Sequence, residues 1–318
     1  MIVAAAPAVL AQSAPAKPVS APSPGEIVSA APASDWVAIA PKDLLVMRLK
    51  PDAKGRPRTV VIQLMPAPFS QGWIGNIRKI AAATWWDGTA IVRVQDNYVT
   101  QWGDPDGDDK AAAKPLPNGL AVVPEGDYVV ARAGFLERQG VAGGPALRDL
   151  LIPRNDVSHF HAFYRGFPVE ASGTPDSVSA WPIHCYGMVG VGRNLSPDTG
   201  TGAELYAVIG QAPRHLDRNI ALVGRVIQGM EHLSSLPRGT GPLGFYETPA
   251  ERVPIVSVRL ASALPKAEQP RFDYLATDSA SFARYAAARA NRRDPFFIRP
   301  AGGADICNIP VPVRAVPG

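Results

Sequence analysis

The sequence predicts an all-β fold, a barrel or a sandwich, and three features carry that prediction. Short β-branched and aliphatic runs recur along the chain, stretches with helical spacing are few, and Gly, Pro and Asp clusters punctuate the runs. An apolar fraction of 46% over 318 residues is enough for a packed core.

The elements follow in order. Leu44–Leu49 and Thr59–Leu64 flank the turn-rich stretch P-D-A-K-G-R-P and read as a hairpin. Gln71–Ala83 has helical composition, with Ile74, Ile77 and Ile80 at three-residue spacing. Strands resume at Ala90–Val94 and Tyr98–Gln101, then at Leu205–Gly210 and Ala221–Ile227, and the alternating run Val253–Leu260 should close the sheet. Asp278 or Ser279 caps a helix over 279–293 whose apolar face is Phe282, Tyr285 and Ala286. A Pro-rich extended tail follows, and the extension over 261–318 is expected to pack against the sheet.

Composition narrows the function classes. A net charge of +4, with basic residues scattered apart from Arg289–Arg293 at a helix end, gives no nucleic-acid footprint. No apolar run reaches the ~20 residues of a membrane span. Residues 1–11 read as the apolar core and cleavage site of an export segment without its basic front, the first Lys being Lys17. Residues 12–34, rich in Ala, Pro and Ser, read as a disordered or extended linker. The two cysteines, Cys185 and Cys307, are either buried free thiols or, in an exported protein, a disulfide tying the tail to the sheet. In the chain-entropy view such a bridge would contribute roughly 4–5 kcal/mol.

The chemistry-bearing stretch is Thr89–Asp104. Arg93 is followed by an aromatic, Tyr98, five residues on, by Gln101 three further, and by Gly103-Asp104. Downstream come Met188, a Gly-rich loop, Tyr206, Leu216-Asp217, then Val223-Gly224-Arg225-Val226 and Gly229-Met230. Upstream lie Val60–Leu64, Ala67-Pro68, Asn76 and Trp85-Trp86-Asp87-Gly88-Thr89. In this order the segments resemble the cyclophilin-type peptidyl-prolyl cis/trans isomerases, as a divergent, bacterial-like member, over 44–260 with an insertion at about 105–186. The resemblance implies a closed eight-stranded antiparallel barrel capped by two helices, with the inserted segment beside the substrate groove. Closure removes sheet edges, which suits a monomer.

It also implies isomerisation of Xaa-Pro bonds in unfolded or flexible polypeptides, assisting folding in a periplasm-like compartment, with no cofactor and no metal. Such bonds turn slowly because rotation breaks amide resonance, at ~18–20 kcal/mol. The catalyst need only bind the twisted amide better than the planar one. As the bond twists, the prolyl nitrogen gains a lone pair, and Arg93, always charged and presenting a rigid fork of N–H groups, is the candidate donor to it. Gln101 would hold that guanidinium or the substrate backbone. Tyr98, Met188, Tyr206 and Leu216 are the matching wall positions of the proline pocket, with Glu204 and His215 completing the substrate-binding set.

Several of these positions depart from the family pattern. Pocket phenylalanines become Tyr98 and Tyr206, whose hydroxyls need partners if buried. A backbone-binding glutamine becomes Glu204, which when ionised accepts but does not donate. A rim tryptophan becomes His215 and a rim histidine Ile220. Glu204 and His215 favour the alternative function, a catalytically weak binding module or chaperone for proline-containing segments; Arg93 favours the enzyme.

Other patterns do not hold up. Asp104–Asp109 lacks EF-hand spacing and its closing Glu. His159 and His161 have no nearby third ligand for a metal. Gly187–Gly192 lacks the helix and final glycine of a dinucleotide loop, and no G-x-S-x-G nucleophile turn occurs.

Overall fold

Eight antiparallel strands close on one another in the computed structural model of the chain, which describes residues 21–131, 159–174 and 177–317. The first strands are β1 (Trp36–Ala38), β2 (Leu44–Leu49), β3 (Arg58–Leu64), β4 (Ala90–Val94) and β5 (Val99–Gly103). The inserted segment supplies β6 (Val130–Ala131), β7 (His159–Tyr164), β8 (Phe167–Thr174) and β9 (Ser177–Pro182). The barrel resumes with β10 (Met188–Val191), β11 (Leu205–Val208), β12 (Leu222–Gln228) and β13 (Val253–Leu260), and the extension adds β14 (Phe272–Leu275) and β15 (Val313–Ala315). Around the barrel the order is β10-β11-β5-β4-β13-β2-β3-β12, with β12 returning to β10.

The predicted hairpin is β2–β3, in register from Leu44 opposite Gln63 to Leu49 opposite Arg58. All of β2 is buried except Arg48. Successive side chains of a strand point to opposite faces, so both the barrel interior and its outer surface are covered here. Helix α2 (Gln71–Ala82) buries Trp73, Ile74, Ile77 and Ile80, the side its spacing predicted. It and the single turn α3 (Glu231–Ser234) lie within the barrel segment. β13 joins β4 to β2, as its alternation required.

The segment between β5 and β10 builds a sheet of its own, ordered β6-β9-β8-β7. Phe163, Tyr164, Phe167 and Val169 belong to the same hydrophobic core as the barrel. The Phe163 ring meets Phe282 of the extension edge-on at 5.0 Å, and the Tyr164 hydroxyl donates to the Ala67 carbonyl at 3.1 Å.

Residues 24–34 differ from the linker expected over 12–34. Pro24–Ser29 forms helix α1, and the reason is a capping box: the Ser23 hydroxyl accepts from the Glu26 N–H while the Glu26 carboxylate accepts from the Ser23 N–H. The helix packs against α4 (Ala280–Ala290), which Ser279 caps, and β1 pairs with β14 in a three-stranded sheet completed by β15. A low-apolar stretch is thus ordered by partners over two hundred residues away. The export segment expected at 1–11 and the front of the linker lie outside the described residues. Cys185 and Cys307 are joined in a disulfide across 122 residues, fastening the extension to the chain just ahead of β10.

Candidate active site

Arg93 and Gln101 are brought opposite one another by the β4–β5 ladder. The register slips between Ile91 and Arg93, a bulge that inserts Val92 and re-aims the side chains that follow. Nη1 of Arg93 donates to Oε1 of Gln101 at 3.2 Å, Nε donates to the Leu243 carbonyl at 2.7 Å, and Nη2 donates to Oε1 of Gln95. Its guanidinium lies 5.6 Å from the Tyr98 ring centre and 5.2 Å from that of Phe245. Aromatic faces attract such a cation and limit its rotation. Burial pulls the Arg93 pKa below its ordinary value, yet an arginine remains charged throughout the physiological range.

Through Tyr98, Arg93 adjoins a small apolar cluster. Val99, Tyr206 and Val208 are buried together, with Tyr98, Leu216 and Ile220 packed against them, separate from the main core. The exposed His215 ring lies nearly parallel to Tyr98 at 6.3 Å. Tyr206 crosses β10 at a glycine for a steric reason: a Cβ on Gly190 would sit 2.3 Å from the Tyr206 hydroxyl.

The Tyr206 hydroxyl has a partner. It lies 2.9 Å from Nε2 of His184, whose Nδ1 lies 2.8 Å from Oδ1 of Asp217. A carboxylate only accepts, so Nδ1 carries the proton and Nε2 accepts from the tyrosine. Burial keeps His184 neutral by lowering its pKa, outweighing the opposing pull of Asp217. Burial likewise pushes the Tyr206 pKa well up, so the hydroxyl keeps its proton. Asp217 also accepts from Nε of Arg214 at 2.5 Å, and Arg214 reaches on to Glu170 of the inserted sheet.

On the other side of Gln101 runs a cleft of about 440 Å³, bordered by Gln101, Glu204, Phe245, Asp104, Asp108 and Arg193 among others. Nε2 of Gln101 donates to Oε2 of Glu204 at 2.7 Å. Burial raises the Glu204 pKa, the Gln101 hydrogen bond opposes that, and Asp108 and Asp104 add to the rise.

The sequence-predicted residues Arg93, Gln101, Tyr98, Glu204, Tyr206, Leu216 and His215 are linked by contacts: Arg93 to Gln101 and Tyr98, Gln101 to Glu204, Tyr98 to His215, and Tyr98 and Leu216 to the cluster that holds Tyr206. Met188 is not among them: it pairs with Arg225 on β10–β12 and lines a separate cavity with Cys185, Cys307 and Phe163. Beside the Tyr206 ring its place is taken by Val99 and Val208. Phe245, Leu243, Gln95 and His184 escaped the sequence reading. Among the described residues no group of three His, Cys, Asp or Glu side chains is placed to hold a metal, and His161 lies instead 3.8 Å from Glu170. No described helix is long and apolar enough to cross a membrane.

A family model described as cyclophilin type peptidyl-prolyl cis-trans isomerase/CLD matches residues 60–260. The crystal structure of cyclophilin AquaCyp293 from Hirschia baltica aligns with 88% of this chain and 93% of its own, at 23% identity and a TM-score of 0.64, a likeness of fold. A cyclophilin type isomerase of Cryptosporidium parvum, crystallised in the presence of the dipeptide Ala-Pro, covers 68% of this chain and 98% of its own at 10% identity, with a TM-score of 0.38. No curated protein matches the chain.

Proposed function

This chain belongs to the cyclophilin-type peptidyl-prolyl cis-trans isomerase family, and from that premise we propose that it turns Xaa-Pro bonds of unfolded or flexible polypeptides, assisting their folding, with Arg93 as the donor to the prolyl nitrogen. Peptidyl-prolyl isomerisation is the activity of the family and of this chain.

The observation carrying the assignment of Arg93 is its anchoring beside the apolar cluster of Tyr98, Val99, Tyr206 and Leu216. Of the five N–H groups of a guanidinium, three are held by Leu243, Gln101 and Gln95. The remaining two are carried on a fork already fixed between two aromatic faces. A proline ring seated against Tyr98, Val99, Tyr206 and Leu216 would bring its nitrogen to that fork. A preorganised donor stabilises the twisted amide, whose nitrogen has a lone pair, more than the planar amide, whose nitrogen has none to offer. Because the Tyr206 hydroxyl donates its hydrogen bond to His184, it does not compete for the substrate carbonyl.

Export is part of the same proposal, supported by the Cys185–Cys307 disulfide, a bond that persists in oxidising compartments. The experiment is NMR exchange on a short Xaa-Pro peptide with the wild-type protein and with Arg93→Ala. The variant should lose about tenfold or more, ~1.4 kcal/mol of transition-state stabilisation. Acceleration indifferent to Arg93 would remove the assignment. Affinity for the peptide without acceleration would leave a proline-binding module.

A further inference from the structure

We infer that Glu204 is a positioning residue for the Arg93 donor, acting through the Gln101 amide, which its carboxylate forces into one orientation. The inference rests on the isomerase reading of the same groove.

The argument is one of donors and acceptors. A glutamine amide can face either way, and its two ends differ only in what they offer: a carbonyl that accepts and an amine that donates. Gln101 lies between a guanidinium, which only donates, and a carboxylate, which only accepts when ionised. Only one arrangement satisfies both neighbours, with the carbonyl toward Arg93 and the amine toward Glu204. Both contacts involve an ionised group, and the one to Glu204, at 2.7 Å, is the shorter of the two, against 3.2 Å to Arg93. Pulling on the amine also makes the carbonyl a better acceptor for Nη1 of Arg93. Gln101 is buried, so water offers little substitute.

The local packing leaves the carboxylate no easy alternative. A Cβ on Gly103 would lie 2.8 Å from Cγ of Glu204, and one on Gly192 would lie 3.0 Å from its Cβ. Two glycines therefore admit the Glu204 side chain between β5 and the end of β10. The charged groups bordering this cleft are Asp104, Asp108 and Lys114 after β5, Arg193 and Asp198 after β10, and Arg252 before β13. The nearby Asp104 and Asp108 both disfavour ionisation of Glu204, as does its burial. Protonation in mild acid turns one of its oxygens into a donor and removes the constraint. Glu204 can then pair with either end of the amide, so Arg93 alone still favours the carbonyl, and Gln101 gains freedom to turn and holds the guanidinium less firmly.

Three measurements test this. In wild-type protein kcat/KM should fall in mild acid to a lower plateau, while Glu204→Gln stays flat over the same range. Superimposable profiles would overturn the inference, whatever the height of the Glu204→Gln plateau. In a Gln101→Leu background, Glu204→Gln should change kcat by less than about twofold, because the route is gone; an effect as large as in the wild-type background would overturn it. The third readout needs no turnover. By NMR, the Gln101 side-chain NH2 and Arg93 Nε–H resonances should titrate together in the wild type and not in Glu204→Gln. Titration without peptide isomerisation would overturn the isomerase reading and leave the contact intact. Resonances insensitive to pH in a protein that does isomerise would overturn the relay alone.

Discussion

Glu204 and Tyr206 stand two residues apart along one edge of the groove, and they accommodate an added polar group in opposite ways. The Tyr206 hydroxyl is turned inward and consumed by His184, Asp217 and Arg214, so the pocket side stays apolar. The Glu204 carboxylate is half-buried, borders the open cleft and holds Gln101, a residue that itself holds Arg93. One departure is absorbed by the core; the other is coupled to the donor. The lesson is that a change of residue type within a site is read by where its polar atom finds a partner, not by its position on the strand.

The difference is sharpest in Asp217. Its carboxylate serves His184 twice, at ring and backbone N–H, and Arg214 once. Removing it with Asp217→Ala leaves a buried imidazole without its acceptor and Arg214 with Glu170 as its remaining carboxylate, at about 3–5 kcal/mol. Glu204→Ala, next to water, should cost far less, about 1 kcal/mol, by denaturant unfolding. If the two variants unfold alike, the sealed and open sides are not distinct. A loss between these two follows for Tyr206→Phe. It orphans the acceptor Nε2 of His184, at about 1–3 kcal/mol, and an unchanged unfolding midpoint would mean the hydroxyl is not committed inward.

How much of this was legible depended on sequence distance and on whether a side chain existed to be read. Arg93, Tyr98 and Gln101 lie within nine positions on adjoining strands, so local spacing was enough. Phe245 reaches Arg93 from about 150 residues away, by a bridge between their backbones that no local pattern announces. Met188 opens β10 and lines the cavity beside the disulfide, whereas the places of β10 and its end that lie against Tyr206 and Glu204 are Gly190 and Gly192, which have no side chain. That wall is made by absence. The need of the buried tyrosine for a partner was foreseeable from its hydroxyl, but His184 sits before β10 with nothing in its surroundings to mark it. The barrel strands were legible from β-branched runs, whereas the N-terminal stretch carried only the short Ser23–Glu26 capping signal, and the partners it packs on, α4 and β14, lie far along the chain.

The two sides should also respond oppositely to acid, and this is the smallest effect and the most discriminating. His184 has an ordinary value of 6.5 and is lowered in the fold, chiefly by burial. Below pH 6.5 the unfolded chain takes up a proton that the folded protein refuses, so stability falls with pH until the lowered folded value is reached. Glu204 has an ordinary value of 4.5 and is raised in the fold. Between 4.5 and the raised value the folded protein holds a proton that the unfolded chain has released, so its contribution grows as pH falls. In the wild type the second term offsets part of the first. Glu204→Gln has no such offset, so between pH 7 and 4.5 its unfolding free energy should drop more steeply, by about 1.4 kcal/mol for each unit of pKa shift. Parallel stability curves would mean that Glu204 ionises as if in water, and the open side of the groove would then lack the acid sensitivity that its packing against Gln101 implies.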